Sequence, residues 1–239
     1  MNAAARTLAL SAIAFAALAT AAGAQSADKV LTNVKGSVGY EHDGTAHPLV
    51  PSVKHSLVDN DYATTQSASQ AQVALPDSSL VTLGSDTRVQ MAFFNQTDIA
   101  NAKFIIYQGK TRFEIVHPAG QQSNYVFTTP TSNVAVRGTE GDIDVEDNDL
   151  TVNVYNSNTQ GAPPVQVTFT QGDKAGTTVT VLPGQSLVAK LVNGIIQSQV
   201  NALTQAAIDK FSELGVPTNI QQAQNAVINR VKSAIHLPF

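Results

Sequence analysis

Val165-Gln166-Val167-Thr168-Phe169 alternates apolar and polar residues without a break, and Thr178-Val179-Thr180-Val181 repeats the pattern a few residues on. In an extended chain, successive side chains point to opposite faces, so such runs bury one face and wet the other. Thr151-Val152-Asn153-Val154, just upstream, reads the same way. Working outward, further strands are expected at Val34–Tyr40, Gln72–Leu75, Leu80–Leu83, Arg88–Phe93, Phe104–Tyr107 and Thr111–Val116. Others are expected at Tyr125–Thr128, Val134–Val136, Asp142–Glu146 and Leu187–Val192. Turn chemistry separates them: Asp43-Gly44, Pro76-Asp77, Gly84-Ser85, Gln108-Gly109, Asp147-Asn148 and Gln171-Gly172-Asp173. Short strands recurring about every 8–12 residues predict an all-β domain. Within that class the reading is a β-roll or short solenoid-like sandwich, whose stacked coils share one core. A closed Greek-key barrel is the alternative. The segment from Glu41 to Ser69 is less regular and is expected to include an irregular excursion.

Beyond Gly194 the apolar period lengthens to that of a helix. Val200, Leu203, Ala207, Phe211 and Leu214 fall three or four apart, and Gly215-Val216-Pro217 is a stop signal. Thr218 followed by Gln221 resembles a capping box that opens a second helix along Ile220, Ala223, Val227, Val231 and Ile235. Residues 195–239 are therefore expected to form a helical hairpin that packs on the β domain, with an oligomerisation or partner-binding arm as the alternative.

At the other end, Arg6 precedes an apolar, Ala-rich run from Leu8 to Ala22, and Ala22-Gly23-Ala24 places small residues before Gln25. This is the pattern of a secretory signal peptide over residues 1–24, cut between Ala24 and Gln25. The run is short for a membrane span of about 20 residues. The mature chain is expected in a bacterial periplasm or outside the cell, with no membrane span after cleavage. Composition fits that address. There is no cysteine among the 239 residues, which excludes disulfides, thiol catalysis and Cys-ligated metals. A net charge of −4 without a concentrated basic face argues against nucleic acid.

Candidate chemistry is thin. His42, His47, His55, His117 and His236 form no His-Glu-x-x-His pattern. The first three are read as solvent-facing loop residues, with a weak metal site as the alternative. Glu140, Asp142, Asp144, Glu146, Asp147 and Asp149 invite a calcium reading, since hard cations prefer oxygen ligands. Ile143 and Val145 alternate with the acids, however, which sets Asp142, Asp144 and Glu146 on one solvated strand face. No Gly-x-Ser-x-Gly elbow and no Walker or dinucleotide loop is present. No catalytic, cofactor-binding or metal residue is assigned, and the chain is read as a non-enzyme.

Several motifs nevertheless occur in a recognisable order. Ala71 to Leu83, with Leu75-Pro76-Asp77-Ser78-Ser79 at its turn, resembles the opening of the FecR domain and its "L-x-D-G-S" turn. Gln108-Gly109-Lys110-Thr111-Arg112-Phe113 resembles the family's mid-domain glycine turn. Thr129-Pro130 through Val136-Arg137-Gly138-Thr139-Glu140 is similar to the signature "T-P-x-x-x-x-x-V-R-G-T-E", and Leu182-Pro183-Gly184-Gln185 to the closing turn. The resemblance covers roughly Val34 to Val192. There are two departures: Ser79 is read as standing where the family has glycine, and Gly141 stands where an aromatic follows the signature, thinning the packing or opening a pocket.

Read physically, Val134 and Val136 point inward and Arg137 outward, and Gly138 permits a turn. Thr139 and Glu140 are placed to hold the guanidinium or freed backbone donors, which makes Arg137 a structural clamp, with an anion site as the alternative. The resemblance implies a noncatalytic, extracytoplasmic all-β module over residues 25–194. The expected role is a cell-envelope binding or scaffolding module with no cofactor, whose partner is an envelope protein or small ligand. The alternatives are a soluble periplasmic ligand sensor feeding a membrane signalling partner, and a polysaccharide-acting enzyme. An oligomer would form through the C-terminal helices.

Overall fold

A computed structural model describes residues 29–96, 100–116, 123–155 and 163–214. Residues 1–24, Gln25, His117, His236 and the second C-terminal helix all lie outside the described residues. The described chain is predominantly strand, in seventeen segments. The first eight are β1 (Lys29–Lys35), β2 (Val38–His42), β3 (Thr45–Leu49), β4 (Lys54–Leu57), β5 (Tyr62–Thr65), β6 (Gln70–Ala74), β7 (Leu80–Leu83) and β8 (Arg88–Gln96). Then come β9 (Ala100–Glu114), β10 (Asn124–Thr128), β11 (Ser132–Val136), β12 (Glu140–Glu146) and β13 (Asp149–Val154). The last are β14 (Val165–Phe169), β15 (Thr178–Val181), β16 (Gln185–Val192) and β17 (Ile195–Ala202). A short helix α1 (Gln205–Asp209) and a 3-10 turn (Ser212–Leu214) follow.

Hydrogen bonding runs through all seventeen strands because one of them belongs to two wings. In the first wing the order is β4-β1-β6-β7-β9-β12-β13-β16-β17. In the second it is β3-β2-β5-β8-β9-β10-β11-β14-β15. Only β9 with β10 is parallel. Residues up to Gln108 of β9 pair in the second wing and residues from Gly109 onward pair in the first. Gln108-Gly109, expected as a turn between two strands, is instead a kink inside one. Gly109 has φ +94°, and a Cβ there would lie 2.5 Å from Thr87 Cα. Only glycine accommodates both constraints.

The inner faces of both wings contribute to one contiguous core. Phe127 stacks on Phe104 at 5.1 Å and packs tilted against Phe113 at 5.5 Å, so one ring spans the kink from the far side. All three rings are fully buried. Each such side chain contributes roughly 1.5–3 kcal/mol by leaving water.

Both wings are open, so the closed barrel is not formed. Each of the four edges is blunted against pairing with other chains. β3 carries Pro48, β4 is four residues long and begins with Lys54, and β15 is four residues long. On β17 the Ile196 N–H donates to Asp173 Oδ1 at 2.7 Å. Where β3 and β4 lie at the same end of the two wings, Tyr40 stacks between His55 at 3.6 Å and His47 at 4.9 Å.

Three sequence readings need correction. The stretch from Glu41 to Ser69 is no excursion; it supplies β3, β4 and β5, of which β3 and β4 are edge strands whose polar composition hides them. Val34–Tyr40 is two strands, broken at Gly36, where the chain passes between wings. The expected two-helix hairpin is not supported. Its first helix is replaced by β17, which pairs with β16 from Ile195↔Val192 to Ala202↔Gln185, and among the described residues only α1 and the 3-10 turn are helical. Thr204 caps α1 by accepting from Ala207 N at 3.2 Å. Leu203, Ile208, Phe211 and Leu214 then form a second, smaller core with Tyr155.

Candidate functional site

The signature folds as a corner between the wings. Thr129 accepts the Ser132 N–H through Oγ1 at 3.1 Å, closing a tight turn around Pro130, whose carbonyl accepts from Gln171 Nε2 at 2.8 Å. Val136 is fully buried, Arg137 exposed, and Gly138 turns the chain at φ +104°. Thr139 offers its carbonyl to Ile115 N at 3.1 Å, and Glu140 offers its own to Tyr155 N at 2.9 Å. The expected clamp takes another form: the Glu140 carboxylate binds Arg112, not Arg137. Register explains this, because Glu140 and Glu114 are directly opposite and Arg112 sits one pleat away from both. Arg137 faces solvent with no hydrogen-bond partner among the described residues.

Beside that pair lies a buried polar row. Arg112, Asp142, Asn153 and Ser186 stand opposite one another across β9, β12, β13 and β16. Asp142 is fully buried, accepting from Asn153 Nδ2 at 3.0 Å on one oxygen and from the Tyr155 hydroxyl on the other. Burial pushes its carboxyl well above the ordinary 3.8, against the opposing pull of those two donors and of Arg112. Burial and the neighbouring Asp142 likewise push the Tyr155 phenol up. The Arg112 guanidinium also reaches the Leu214 carbonyl at 3.4 Å, which fastens the C-terminal segment at its far end.

The acidic run is thus divided. Asp142 leaves the solvated face expected for it and lies buried, Asp144 is half-buried, and Glu146 is exposed. Two shallow clefts flank the exposed part. One, of about 430 Å³, lies by the kink and takes in Asp86, Lys110, Asp144 and Glu146. The other, of about 200 Å³, lies between β13, β16 and Lys210. No group of three or more His, Asp or Glu side chains among the described residues could hold a metal ion. Gly141 opens no pocket: a Cβ there would stand 2.5 Å from the Phe113 ring and 2.3 Å from the Asn153 carbonyl, so Phe113 fills the space from the opposite strand.

The opening motif is also structural. Asp77 accepts the Ser79 N–H at 3.0 Å and the Tyr125 hydroxyl at 2.7 Å, tying the turn to the aromatic core. The residue in the left-handed region is Ser78, at φ +71°, so the family's glycine corresponds to position 78 rather than 79. His42, His47 and His55 are on strands and not in loops. His47 and His55 hold Tyr40, and His42 Nδ1 meets the buried Asp61 at 2.7 Å. That hydrogen bond, then Asp43, raises the His42 pKa above 6.5.

Arg112, Asn153, Tyr155 and Tyr125 were not singled out in the sequence. One pairing was within reach: a hairpin centred on Asp147-Asn148 places Asp142 opposite Asn153. The contacts of Tyr155 and Leu214 depend on where the C-terminal segment returns, which no local pattern encodes.

Residues 61–159 match the family model described as FecR protein. Two solved structures of a candidate anti-sigma factor from Parabacteroides distasonis are similar at 20% identity, with TM-scores of 0.47 and 0.46. Each match covers 61% of this chain and 62% of that one, so the chain spans less than two thirds of the solved structures it matches. No curated protein matches.

Proposed function

We propose, from the premise that residues 61–159 form a FecR domain, that the chain is a noncatalytic binding module of a bacterial cell envelope. Residues 1–24 would export it, with cleavage between Ala24 and Gln25. The observation that carries this reading is the use made of the polar signature. Thr129 holds the Ser132 N–H, Glu140 binds Arg112 and the neighbouring Asp142 binds Asn153 and Tyr155, while Arg137 faces outward. Groups committed in this way hold a surface in shape instead of reacting. Among the described residues no helix is long and apolar enough to cross a membrane.

The test uses the tagged chain from Gln25 with detergent-solubilised envelope and chemical cross-linking. A defined envelope component should be retained by the wild type and lost with Arg137→Glu. Retention no greater than that of the tag alone would contradict the reading. A sensor feeding a signalling partner is the second reading, favoured by the C-terminal segment resting on the ionisable Asp142–Arg112 row. It expects a ligand-dependent rise in Tm in a screen of envelope metabolites, and a flat screen would remove it.

A further inference from the structure

We infer that the outer face of the second wing binds a strand of acidic polysaccharide laid across its β-strands. The inference rests on the binding-module reading and names the partner's chemistry. Strand register carries one row of side chains along this face, from Gln90 through Ile105, Thr128, Asn133 and Thr168 to Thr178. Neighbours in the row bond to each other: Thr128 with Asn133 at 2.9 Å, and Thr168 with Thr178 at 2.8 Å. Apart from the aliphatic Ile105, the row is therefore an ordered ladder of hydroxyl and amide groups, each able both to donate and to accept, as sugar hydroxyls do. Its repeat is the strand spacing of about 4.8 Å, close to the length of one sugar ring in an extended glycan.

At the β5 end the row meets an aromatic platform. Tyr62 and Tyr107 lie 5.8 Å apart, with Tyr107 exposed, and the Arg88 guanidinium sits 3.9 Å above the Tyr62 ring. Amphipathic rings of this kind offer an apolar face to the C–H side of a sugar and a hydroxyl to its rim. Charge selects the class of glycan. Lys103 and Arg137 both lie on this face, while the second-wing part of β9 and all of β10, β11, β14 and β15 carry no carboxylate. The acids gather on the first wing, along β12. Glu41, opposite Tyr62 on the same face, is paired with Arg88 at 3.0 Å, so in a chain of net charge −4 the row from β9 to β15 carries no carboxylate of its own, and that suits carboxylated sugars. With all four sheet edges blunted, a face is the route left for an extended partner.

Affinity electrophoresis of the chain from Gln25 in gels containing alginate or polygalacturonate tests the inference. Retardation should appear, weaken as salt is raised, and fall about tenfold in affinity in the Lys103→Gln/Arg137→Gln double variant. Asn133→Asp, which sets a carboxylate in mid-row at constant size, should also weaken it. Glu146→Gln, on the other wing, should leave it unchanged. No retardation by either acidic glycan overturns the inference. Equal retardation by neutral dextran or by polyphosphate also overturns it, the first against charge selection and the second in favour of plain charge. If an envelope protein is captured while neither glycan retards the chain, this inference falls and the binding-module reading stands.

Discussion

Gly109 carries two constraints at once, a positive φ and backbone contact with Thr87. A non-glycine residue in the left-handed region costs about 1–2 kcal/mol, and overpacking adds about 1–3. Gly109→Ala should therefore lower unfolding free energy in urea by more than about 2 kcal/mol, and an unchanged midpoint would show that the kink is not required. Ser78→Gly, at φ +71°, should move stability the other way by up to about 1 kcal/mol. Two ionisable residues set the pH response. The Asp142 pKa is raised by burial, so its contribution is complete below the ordinary value of 3.8 and is lost as pH rises through its folded-state value. Asp142→Asn keeps a neutral hydrogen-bonding group and should flatten that loss. The His42 pKa is raised above 6.5 by Asp61, so its contribution is likewise present below 6.5 and lost as pH climbs past the folded value. His42→Asn should remove only that part of the decline which sets in above pH 6.5 and belongs to His42 in a pH series of melting curves. A series that rises with pH would contradict both assignments.

At the scale of elements, the C-terminal segment works as a fastener. Phe211 is fully buried among Tyr155, Leu203, Ile208 and Leu214, and Phe211→Ala should cost about 3 kcal/mol or more and increase solvent exposure of Tyr155. Protection of the Tyr155 amide from hydrogen exchange reads this directly, and undiminished protection in the variant would refute it. This element also marks the limit of what the sequence discloses. Alternating runs such as Val165–Phe169 and Leu187–Val192 declare themselves, because one face meets the core and the other water. Edge strands such as Thr45–Leu49 do not, because an edge buries little and tolerates Pro48. Val200, Leu203, Ala207, Phe211 and Leu214 keep a helical period, yet the first of them lies in β17, where pairing with β16 overrides local spacing. The signature was legible as a motif, but its Arg partner was not, since Arg112 reaches Glu140 only through the register of β9 against β12.

Over the whole molecule, the two wings share β9 and one core, and the polar signature maintains the corner between them. Charge is sorted between the outer faces, with the acids along β12 on one wing and Lys103 and Arg137 on the other. Arg137 is where structure and surface separate. The most direct measurement is the unfolding midpoint of Arg137→Gln set beside its retention on the envelope partner. The account expects a midpoint within about 0.5 kcal/mol of wild type, as for an exposed side chain, together with lost retention. A variant that is clearly destabilised yet still retained would contradict it.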